Sequence, residues 1–512
     1  MNQIKFSFSA LLNQACSRYR DRPLLSSSER TLSYKQFEAE ARCVAAALAK
    51  RGIGRGDRVA ILLRNCLEFL VVDYAIMKLG AVKIPLNEML SADDVEYIFT
   101  HAKVRGLVVH TSLAHLVPDP SLLAACAQIV DADGHDLEIE SFDTWLSEDA
   151  RVLELCHDAD ALAAILYTGG TTGRPKGVMH TQGTIAAVAL SGIIAAEIAA
   201  DERLLLTTPL PHAAGICMYS AMLQGGSAWV AQAFDAEATL KTITEQKITW
   251  LWAVPTMIYR LLDAPSFEDF DLASLRTIVY GAAPITQVRL KQGLACFGPV
   301  FLQIYGQTEA PMWMTALSKH DHLDESLLGS CGTPAVGAEV CIKDDSGNTL
   351  PYGEVGELCL RAPLVMQGYY EAPELTTESF FRDWLRSGDL GYQREAGHVF
   401  LVDRAKDMII SGGMNVYCSE VENVVQGHAA VSQVAVIGIP DDDWGEAVHA
   451  VVVANAEFDT KEFIGFCKER LAKYKVPKSV SIVDAIPVTA YGKMDKKALR
   501  GKFWGDGKRE IN

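Results

Sequence analysis

The sequence has no paired cysteines. Its twelve cysteines include no CxxC pair, and they stand singly in apolar segments such as SLLAAC and EFIGFC. Single cysteines in apolar surroundings behave as small hydrophobic residues. We therefore predict reduced, buried thiols.

Long apolar runs are also missing. No stretch has the length and apolarity needed to cross a bilayer. Polar residues interrupt the N-terminal segment MNQIKFSFSALLNQACSRYRDRP before its apolar part reaches the length of a signal-peptide core. A cytoplasmic protein without a transmembrane segment is expected.

Positive charge is scarce. The formal net charge is −17, which disfavours a general electrostatic attraction to nucleic acid or to an anionic membrane. The acidic residues are spread along the chain, as on a solvated surface. No nucleic-acid partner is expected, and no repeat or low-complexity linker is present.

The chain has the size and composition of a multidomain globular protein. With 512 residues it is too long for one compact core of ordinary size, which favours at least two domains. A hydrophobic fraction of 49% and 39 glycines indicate a well-packed protein with many tight turns.

Helices and short strands alternate through the first half. Ser33 and Gln36 predict a capping box ahead of the helical pattern FEAEARCVAAALAKRG. The segments DRVAILL and AVKIPL predict strands on either side of a helix that ends at Gly80. Such alternation predicts an α/β fold with largely parallel sheets covered by helices, and ligands at the carboxyl ends of the strands.

The last third has a different texture. Short alternating strands such as GELCLRA and HVFLV predict a small β-rich subdomain over about 332–401. After DRAKD an α+β pattern returns. We predict an N-terminal adenylate-binding domain over 1–403 and a small, mobile, catalytic α+β domain over 404–512.

A loop rich in glycine and threonine follows the apolar strand AAILY. It comprises Thr168, Gly169, Gly170, Thr171, Thr172 and Gly173, and PKG follows with Lys176. Glycines let backbone N–H groups converge on a phosphate chain, threonine hydroxyls add donors, and a lysine neutralises departing pyrophosphate. The loop is not a Walker A motif, because its lysine precedes Gly177. The alternative is a flexible surface turn.

Over nearly its whole length the sequence resembles the acyl-adenylate-forming superfamily, which includes acyl- and aryl-CoA ligases, firefly luciferase and the adenylation domains of peptide synthetases. The core motif of that family usually reads YTSGTTGxPKGV, and this chain has YTGGTTGRPKGV. Gly169 stands where serine is commoner, so one hydroxyl donor is missing. The resemblance implies ATP as a substrate and Mg²⁺ as a cofactor.

The resemblance assigns the nucleotide contacts. It implies adenine stacking on Tyr305, a phosphate contact from Thr308, and Mg²⁺ ligation by Glu309 with Thr171; aromatic faces stack bases, and Mg²⁺ prefers oxygen ligands. Asp389 and Arg404 would hold the ribose. The adenine would be bordered by Gly281, Ala282, Ala283 and Gly306. As isolated motifs, YGxTE and a lone aspartate are more often ordinary turns and caps.

Two further segments belong to the small domain. In the family, a lysine corresponding to Lys493 bridges the attacking carboxylate and the α-phosphate, where a cation stabilises developing charge. Lys406 lies at the hinge position. After adenylation the small domain would rotate and present Gly412 and Gly413 to a pantetheine arm, although a turn before a helix also explains this glycine pair.

The thiol acceptor is expected to be coenzyme A, since only a short polar tail follows Lys493 and no carrier domain is seen there. In some CoA ligases an aromatic residue and basic residues contact the CoA nucleotide, and the corresponding residues here are Trp444, Tyr474, Lys475 and Lys478. Val476 stands where an arginine can occur. Trp444 is equally plausible as a core residue.

The acyl pocket is predicted to be mostly small or apolar. The residues assigned to it are His212, Ala213, Trp252, Gly281, Ala282, Ala283, Gly306, Met312 and Trp313. No lysine, arginine or carboxylate is among them, so a neutral apolar acid, aryl or medium- to long-chain, is expected rather than a dicarboxylate or an amino acid. His212 is assigned to catalysis as a gate, with a core histidine as the alternative.

Three functional classes stay open. The leading one is an ATP-dependent carboxylic acid:CoA ligase; the second is a stand-alone acyl-AMP ligase that loads a separate acyl carrier protein. The third, a binding protein without catalysis, is disfavoured because Lys176, Glu309 and Lys493 are all present. The sequence does not set the oligomeric state, and a homodimer is compatible with it.

Overall fold

A computed structural model describes residues 6–119, 123–129, 137–150, 156–169, 174–404, 407–441, 443–455, 457–487 and 494–504. The chain divides into two units: unit 1 comprises 1–340 and 360–385, and unit 2 comprises 341–359 and 386–512. The predicted boundary at 403/404 falls within unit 2 and stays a prediction about functional domains.

Helices cover the sheets of both units. They are α1 (Phe8–Arg18), α2 (Tyr34–Lys50), α3 (Leu67–Leu79), α4 (Ala92–Ala102), α5 (Phe142–Leu146), α6 (Gln182–Ala195), α7 (Ala213–Gln224), α8 (Ala236–Gln246), α9 (Pro255–Leu262), α10 (Gln287–Phe297), α11 (Pro373–Glu378), α12 (Cys418–Val425), α13 (Thr460–Arg470) and α14 (Lys496–Trp504). Within the described ranges, no helix has the length and apolarity to cross a membrane.

Unit 1 contains two large sheets. Sheet 1 has the strand order β16 (Thr333–Pro334), β15 (Ala310–Leu317), β14 (Phe301–Gln307), β13 (Thr277–Tyr280), β12 (Trp250–Ala253), β10 (Arg203–Leu206), β11 (Ser227–Val230), β1 (Pro23–Ser26) and β2 (Thr31–Ser33). Sheet 2 has the order β19 (Gly368–Tyr369), β9 (Lys176–Thr181), β8 (Leu162–Thr168), β4 (Val82–Pro85), β3 (Arg58–Leu62), β5 (Val104–His110), β6 (Ala125–Ile129) and β7 (Glu140–Ser141). Parallel pairs dominate the centre of both sheets, as predicted.

Two smaller sheets complete the fold. Sheet 3 contains β17 (Glu339–Lys343), β18 (Gly356–Arg361), β21 (Trp384–Gln393) and β20 (Phe380–Phe381), with β22 (Val399–Arg404) also paired to β21. Sheet 4, in unit 2, contains β24 (Met414–Val416), β23 (Ile409–Ser411), β26 (Gly445–Ala454) and β25 (Val431–Asp441), with β27 (Ser479–Ile482) paired to β26. The α/β class and the β-rich segment are confirmed.

Local sequence signals account for several boundaries. Ser33 and Gln36 form the predicted capping box, which satisfies backbone donors at the start of α2. Gly80 ends α3 in the left-handed conformation, with φ of 78°, which glycine adopts without steric cost. All twelve cysteines are free, as predicted, but only six of them are buried; five are partly buried and Cys296 is exposed.

Candidate active site

The β8–β9 hairpin carries the predicted phosphate-loop lysine. Thr168 at the end of β8 lies opposite Lys176 at the start of β9. Gly169 follows directly. The predicted contacts of Gly170, Thr171, Thr172 and Gly173 lie outside the described residues and stay predictions. The hairpin thus fixes both ends of the loop on adjacent antiparallel strands.

Tyr369 links Lys176 to Glu309. Its hydroxyl donates a hydrogen bond to Glu309 Oε1 at 2.7 Å, and Lys176 Nζ lies 5.6 Å from the centre of its ring. Pairing of β19 with β9 places Tyr369 opposite Val178. Burial and the nearby Glu309 raise the pKa of Tyr369, so its hydroxyl stays protonated and can donate. Lys176 and Glu309 therefore both lie next to Tyr369, one near its ring and the other at its hydroxyl.

The carboxyl ends of β13 and β14 bring the predicted adenine segments together. These strands are parallel neighbours, with Tyr280 opposite Gln303. A side chain at Gly281 would place a Cβ 2.5 Å from the Ile304 carbonyl oxygen, and one at Gly306 would place it 2.5 Å from the Met312 nitrogen. Both positions therefore require glycine because backbone approaches closely.

The adenine segments have an exposed, unusual backbone. Ala282 has a φ of 66°, in the left-handed region that non-glycine residues rarely adopt, and Ala282 and Ala283 are both exposed. Tyr305, on the neighbouring strand, is half-buried. This edge of sheet 1 thus offers small, accessible residues beside an aromatic ring.

In unit 2 the two predicted ribose residues are cross-strand partners. Asp389 on β21 lies opposite Arg404 on β22, and Arg404 Nε lies 3.4 Å from Asp389 Oδ1. The Asp389 side chain is 14% exposed and that of Arg404 is 48% exposed. The carboxylate is thus held in place while the guanidinium remains accessible.

Four of the predicted CoA residues form one patch in unit 2, which we call the Trp444 patch: Gly412, Gly413, Trp444 and Lys478. The Gly412 N–H donates to the Trp444 carbonyl oxygen at 2.8 Å, and a Cβ at Gly412 would lie 2.5 Å from the indole. Lys478 Nζ lies 4.7 Å from the indole centre, and Trp444 is 41% exposed. Trp444 is therefore not a buried core residue.

Lys475 and Tyr474 are engaged within unit 2. Lys475 Nζ contacts both oxygens of Glu420 at 2.6 Å, and Tyr474 packs against the core of sheet 4. Tyr474 and Lys475 thus support the local structure in addition to any contact with a ligand.

Lys406 and Lys493 lie outside the described residues, so their hinge and catalytic assignments stay predictions.

Family models match the greater part of the chain. The AMP-binding enzyme model matches residues 12–370, and the model of the AMP-binding enzyme C-terminal domain matches residues 420–493. The chain belongs to the AMP-binding enzyme family. The resemblance inferred from the phosphate-loop motif is thereby confirmed.

Individual relatives of this AMP-binding enzyme span its whole length. It is 38% identical to the medium/long-chain-fatty-acid–CoA ligase FadD8 of Mycobacterium tuberculosis, over 98% of this chain and 91% of that protein. It is 34% identical to the fatty acid–[acyl-carrier-protein] ligase ScoC of Streptomyces coeruleorubidus, over 96% and 95% of the two chains. The crystal structure of ATP-bound MatB from Rhodopseudomonas palustris superposes with a TM-score of 0.88 at 30% identity, covering 98% of this chain and 100% of that chain.

The residues of this AMP-binding enzyme fit Mg²⁺ held chiefly by substrate phosphates. Among the described residues, no group of three or more His, Cys, Asp or Glu side chains could hold a metal ion. Mg²⁺ commonly uses one or two protein carboxylates, with phosphate oxygens and water as its other ligands. Glu309, whose carboxylate accepts a hydrogen bond from Tyr369, would supply one such carboxylate.

A cavity of about 30 Å³ lies in unit 1 and is lined partly by His212 and Pro311. Asn87 Nδ2 lies 2.7 Å from His212 Nε2, and an amide nitrogen can only donate, so Nε2 accepts. The other residues assigned to the pocket do not line this cavity: Ala213, Trp252, Gly281, Ala282, Ala283, Gly306, Met312 and Trp313. Trp252 and Trp313 are buried. The cavity lining also includes the charged residues Asp73 and Lys83, which were not among the residues predicted for the acyl pocket.

Two residues beside the candidate site, Tyr369 and His180, were not predicted from the sequence. Tyr369 orients Glu309, and the aromatic pair in QGYY was an available signal. His180 Nε2 donates to the Thr308 carbonyl oxygen at 2.8 Å. Its position four residues after Lys176 on one strand places it on the same face, a period-two signal that could have been used.

Proposed function

We propose that this protein is an ATP-dependent carboxylic acid:CoA ligase that works through an acyl-AMP. The observation that carries the proposal is the convergence of Lys176 and Glu309 on Tyr369 at the end of the β8–β9 hairpin. At that point a lysine can pair with phosphate oxygens at one end of a triphosphate, and a carboxylate can bind Mg²⁺ at the other end. The similarity to acyl-CoA ligases supports the same chemistry.

In the first half-reaction a carboxylate oxygen of the acid attacks the α-phosphorus of ATP. The new O–P bond forms as the bond to the β-phosphate oxygen breaks, and pyrophosphate leaves. Lys176 neutralises charge on the departing group, and Lys493 stabilises the charge developing at the α-phosphate. Bound Mg²⁺ would supply further charge neutralisation on the phosphate oxygens. Tyr305 and the Gly281–Ala283 segment would hold the adenine, and Asp389 with Arg404 the ribose.

In the second half-reaction the CoA thiolate attacks the acyl carbonyl carbon. The C–S bond forms, the C–O bond to the phosphate breaks, and AMP leaves. The Trp444 patch supports CoA as the acceptor, since its exposed indole can stack on a base and Lys478 can pair with phosphate. We assign the rotation between the half-reactions to residues 404–512, with the hinge at Lys406.

The alternative acceptor is a carrier protein, which the similarity to ScoC supports. The test is pyrophosphate release from ATP and Mg²⁺ over a panel of aryl and aliphatic acids, with and without CoA. CoA-dependent turnover with acyl-CoA as product is expected. Stoichiometric release indifferent to CoA would instead support the carrier-protein ligase.

Trp444→Ala tests the acceptor site directly. We expect the KM for CoA to rise about 5- to 150-fold, because base stacking on an aromatic side chain is worth about 1–3 kcal/mol. Adenylate formation without CoA should be unchanged. Tyr352→Ala is the matched control, since Tyr352 is an exposed aromatic residue of unit 2 outside the patch. Equal effects of the two substitutions would contradict the assignment.

Lys493→Ala tests the assigned division of labour. We expect adenylate formation to fall by about a hundredfold or more, as when a preorganised group facing developing charge is removed. Thioester formation from supplied acyl-AMP and CoA should change little. Equal losses in the two half-reactions would refute the role given to Lys493.

A further inference from the structure

The cavity beside His212 lies between strands β4, β8 and β9 of sheet 2 and helices α3, α6 and α7. Most of its wall is apolar, with Phe69 from α3, Val188 from α6 and Ile216 from α7. Its volume of about 30 Å³ holds one or two waters, or the end group of a larger ligand. Its polar lining residues decide which end group it can take.

Three lining residues lie side by side on neighbouring strands of sheet 2. Lys83 on β4 is paired with Ala164 on β8, and Ala164 is paired with His180 on β9. Directly paired residues point to the same face of a sheet. Lys83 and His180 therefore flank Ala164, whose methyl group leaves the space between them open.

His180 presents an unused acceptor. Its Nε2 donates to the Thr308 carbonyl oxygen. Its Nδ1 is buried and has no hydrogen-bond partner among the residues that the structure describes, and the residue is only 2% exposed. Burial, with a smaller contribution from the charge of Lys83, lowers the pKa of His180 to about 4, against the effect of the Thr308 hydrogen bond. The ring is neutral at pH 7, so Nδ1 carries a lone pair that needs a donor.

Lys83 presents an unused donor. Its Nζ donates to Asp73 Oδ1 at 2.6 Å and to the Tyr219 hydroxyl, and that hydroxyl donates to Asp73 Oδ2 at 2.8 Å. An ammonium group has three N–H donors, so within the described part of the chain one of them has no acceptor. Lys83 and Asp73 together have no net charge.

We propose that this cavity receives a hydroxyl group of the acid substrate, which donates to His180 Nδ1 and accepts from Lys83 Nζ. The inference rests on the proposed ligase function and specifies its substrate class as a hydroxylated, otherwise apolar aryl or aliphatic acid. His180 is thus a specificity-determining residue of the acyl pocket.

Other end groups fit less well. A keto oxygen can only accept and would leave His180 Nδ1 unpaired, and an ammonium would lie beside Lys83. A second carboxylate would lack a counter-charge, since Asp73 already neutralises Lys83. Leaving a buried polar group unpaired costs about 1–3 kcal/mol, so a hydroxyl is favoured over each of these groups.

One hydrogen bond connects a lining residue of this cavity to the segment that contains Glu309. The carbonyl oxygen that His180 contacts belongs to Thr308, which precedes Glu309. His212 and Pro311 border the cavity from the segments assigned to the acyl pocket. A substrate with its carboxylate near Glu309 can therefore direct its other end toward Ala164.

The test compares acids that differ only by one hydroxyl: benzoate with 4-hydroxybenzoate, 3-phenylpropanoate with its 4-hydroxyphenyl analogue, and octanoate with 8-hydroxyoctanoate. The ratio of kcat/KM within each pair is the readout. We expect the wild type to prefer the hydroxylated member at least tenfold in one pair, because sites that hydrogen-bond a substrate hydroxyl reject analogues without it. In that pair His180→Leu should bring the ratio to about one.

Two further variants guard against a general loss of activity. Ile216→Val removes one carbon from the apolar wall of the cavity and changes no polar atom. It should therefore leave the ratio of kcat/KM within each pair unchanged. Ala164→Val fills the space between Lys83 and His180 and should lower the ratio even if His180→Leu fails to fold. The unsubstituted acid serves as an internal control for folding and for ATP binding.

The outcomes separate this inference from the ligase proposal. Turnover of the unsubstituted acids, with no hydroxyl preference in any pair, would overturn the inference and leave the ligase function intact. A preference that His180→Leu does not change would also overturn it, and would leave a buried water as the occupant of the cavity. No CoA-dependent turnover of any acid would overturn the ligase proposal itself.

Discussion

Two lysines with acidic partners, one in each unit, have pKa values shifted in opposite directions. Burial lowers the pKa of Lys83 in unit 1, although Asp73 opposes the change. Burial also acts against the charge of Lys496 in unit 2, yet Glu422, at 2.7 Å, and the nearby Asp403 raise its pKa. Lys83 borders a cavity, whereas Lys496 starts α14 and contacts carboxylates.

The difference lies in the number of acidic partners. One carboxylate neutralises Lys83 and leaves one of its donors for a ligand, while several acidic groups around Lys496 hold it in place. Burial of a charge alone therefore does not identify a binding residue. A binding residue is identified by an open space beside the charged group together with an unused hydrogen-bond donor.

The largest expected difference between Lys83 and Lys496 is in the stability that is lost when each lysine is replaced. Lys83→Met should destabilise unit 1 by about 3–5 kcal/mol, because it leaves Asp73, with a side chain 4% exposed, buried without its partner. Lys496→Met should cost less, about 2 kcal/mol, because Glu422 is 19% exposed and Asp403 can bind a proton. Thermal unfolding monitored by calorimetry would measure both.

Lys103→Met is the control for these two substitutions. Lys103 and Glu371 form an ion pair whose side chains are 62% and 45% exposed, and exposed pairs contribute little to stability because water and salt screen them. A loss on Lys83→Met as small as the control's would contradict the view that Asp73 depends on Lys83.

A smaller effect should appear on acidification, with opposite signs in the two units. His180 has a folded-state pKa of about 4, below its usual value, so its unfolded form binds more protons as the pH falls from 7 to 5. The stability of the wild type relative to His180→Leu should therefore decrease by about 2 kcal/mol over that interval.

Asp403 should respond in the other direction. Burial raises the pKa of its carboxyl to about 6, against the effect of Lys496. The folded form then binds more protons as the pH falls from 7 to 5, and the stability of the wild type relative to Asp403→Asn should rise by about 1 kcal/mol. Unfolding midpoints at pH 7, 6 and 5 would measure both differences. Shifts of the same sign would refute the contrast.

The elements that sequence predicted well have local signals. Ser33 and Gln36 lie within one helical turn, and Gly80 ends α3 through its own backbone conformation. The phosphate-loop motif is likewise contiguous, and it identified the family. Such features depend on neighbouring residues, so reading along the chain is sufficient to find them.

Local signals do not show that the polar residues of the cavity lie together. In AVKIPL, Lys83 looks like one polar residue within a strand, and only the pairing of β4 with β8 places it beside Ala164. His180 joins them through a further pairing, from the other side of the phosphate loop. Strand register between distant segments decides these contacts, and single-sequence patterns do not encode it.

Strand β9 has a consequence for substrate length. Lys176 and His180 stand at the two ends of a stretch that rises about 3.3 Å per residue, so their Cα atoms are separated by about 13 Å. If Lys176 contacts the phosphates and His180 contacts the far end of the acid, the length of β9 sets the distance between these two contacts. An acid would then be selected by its length as well as by its polarity, and an insertion in β9 would change the length of acid that the enzyme accepts.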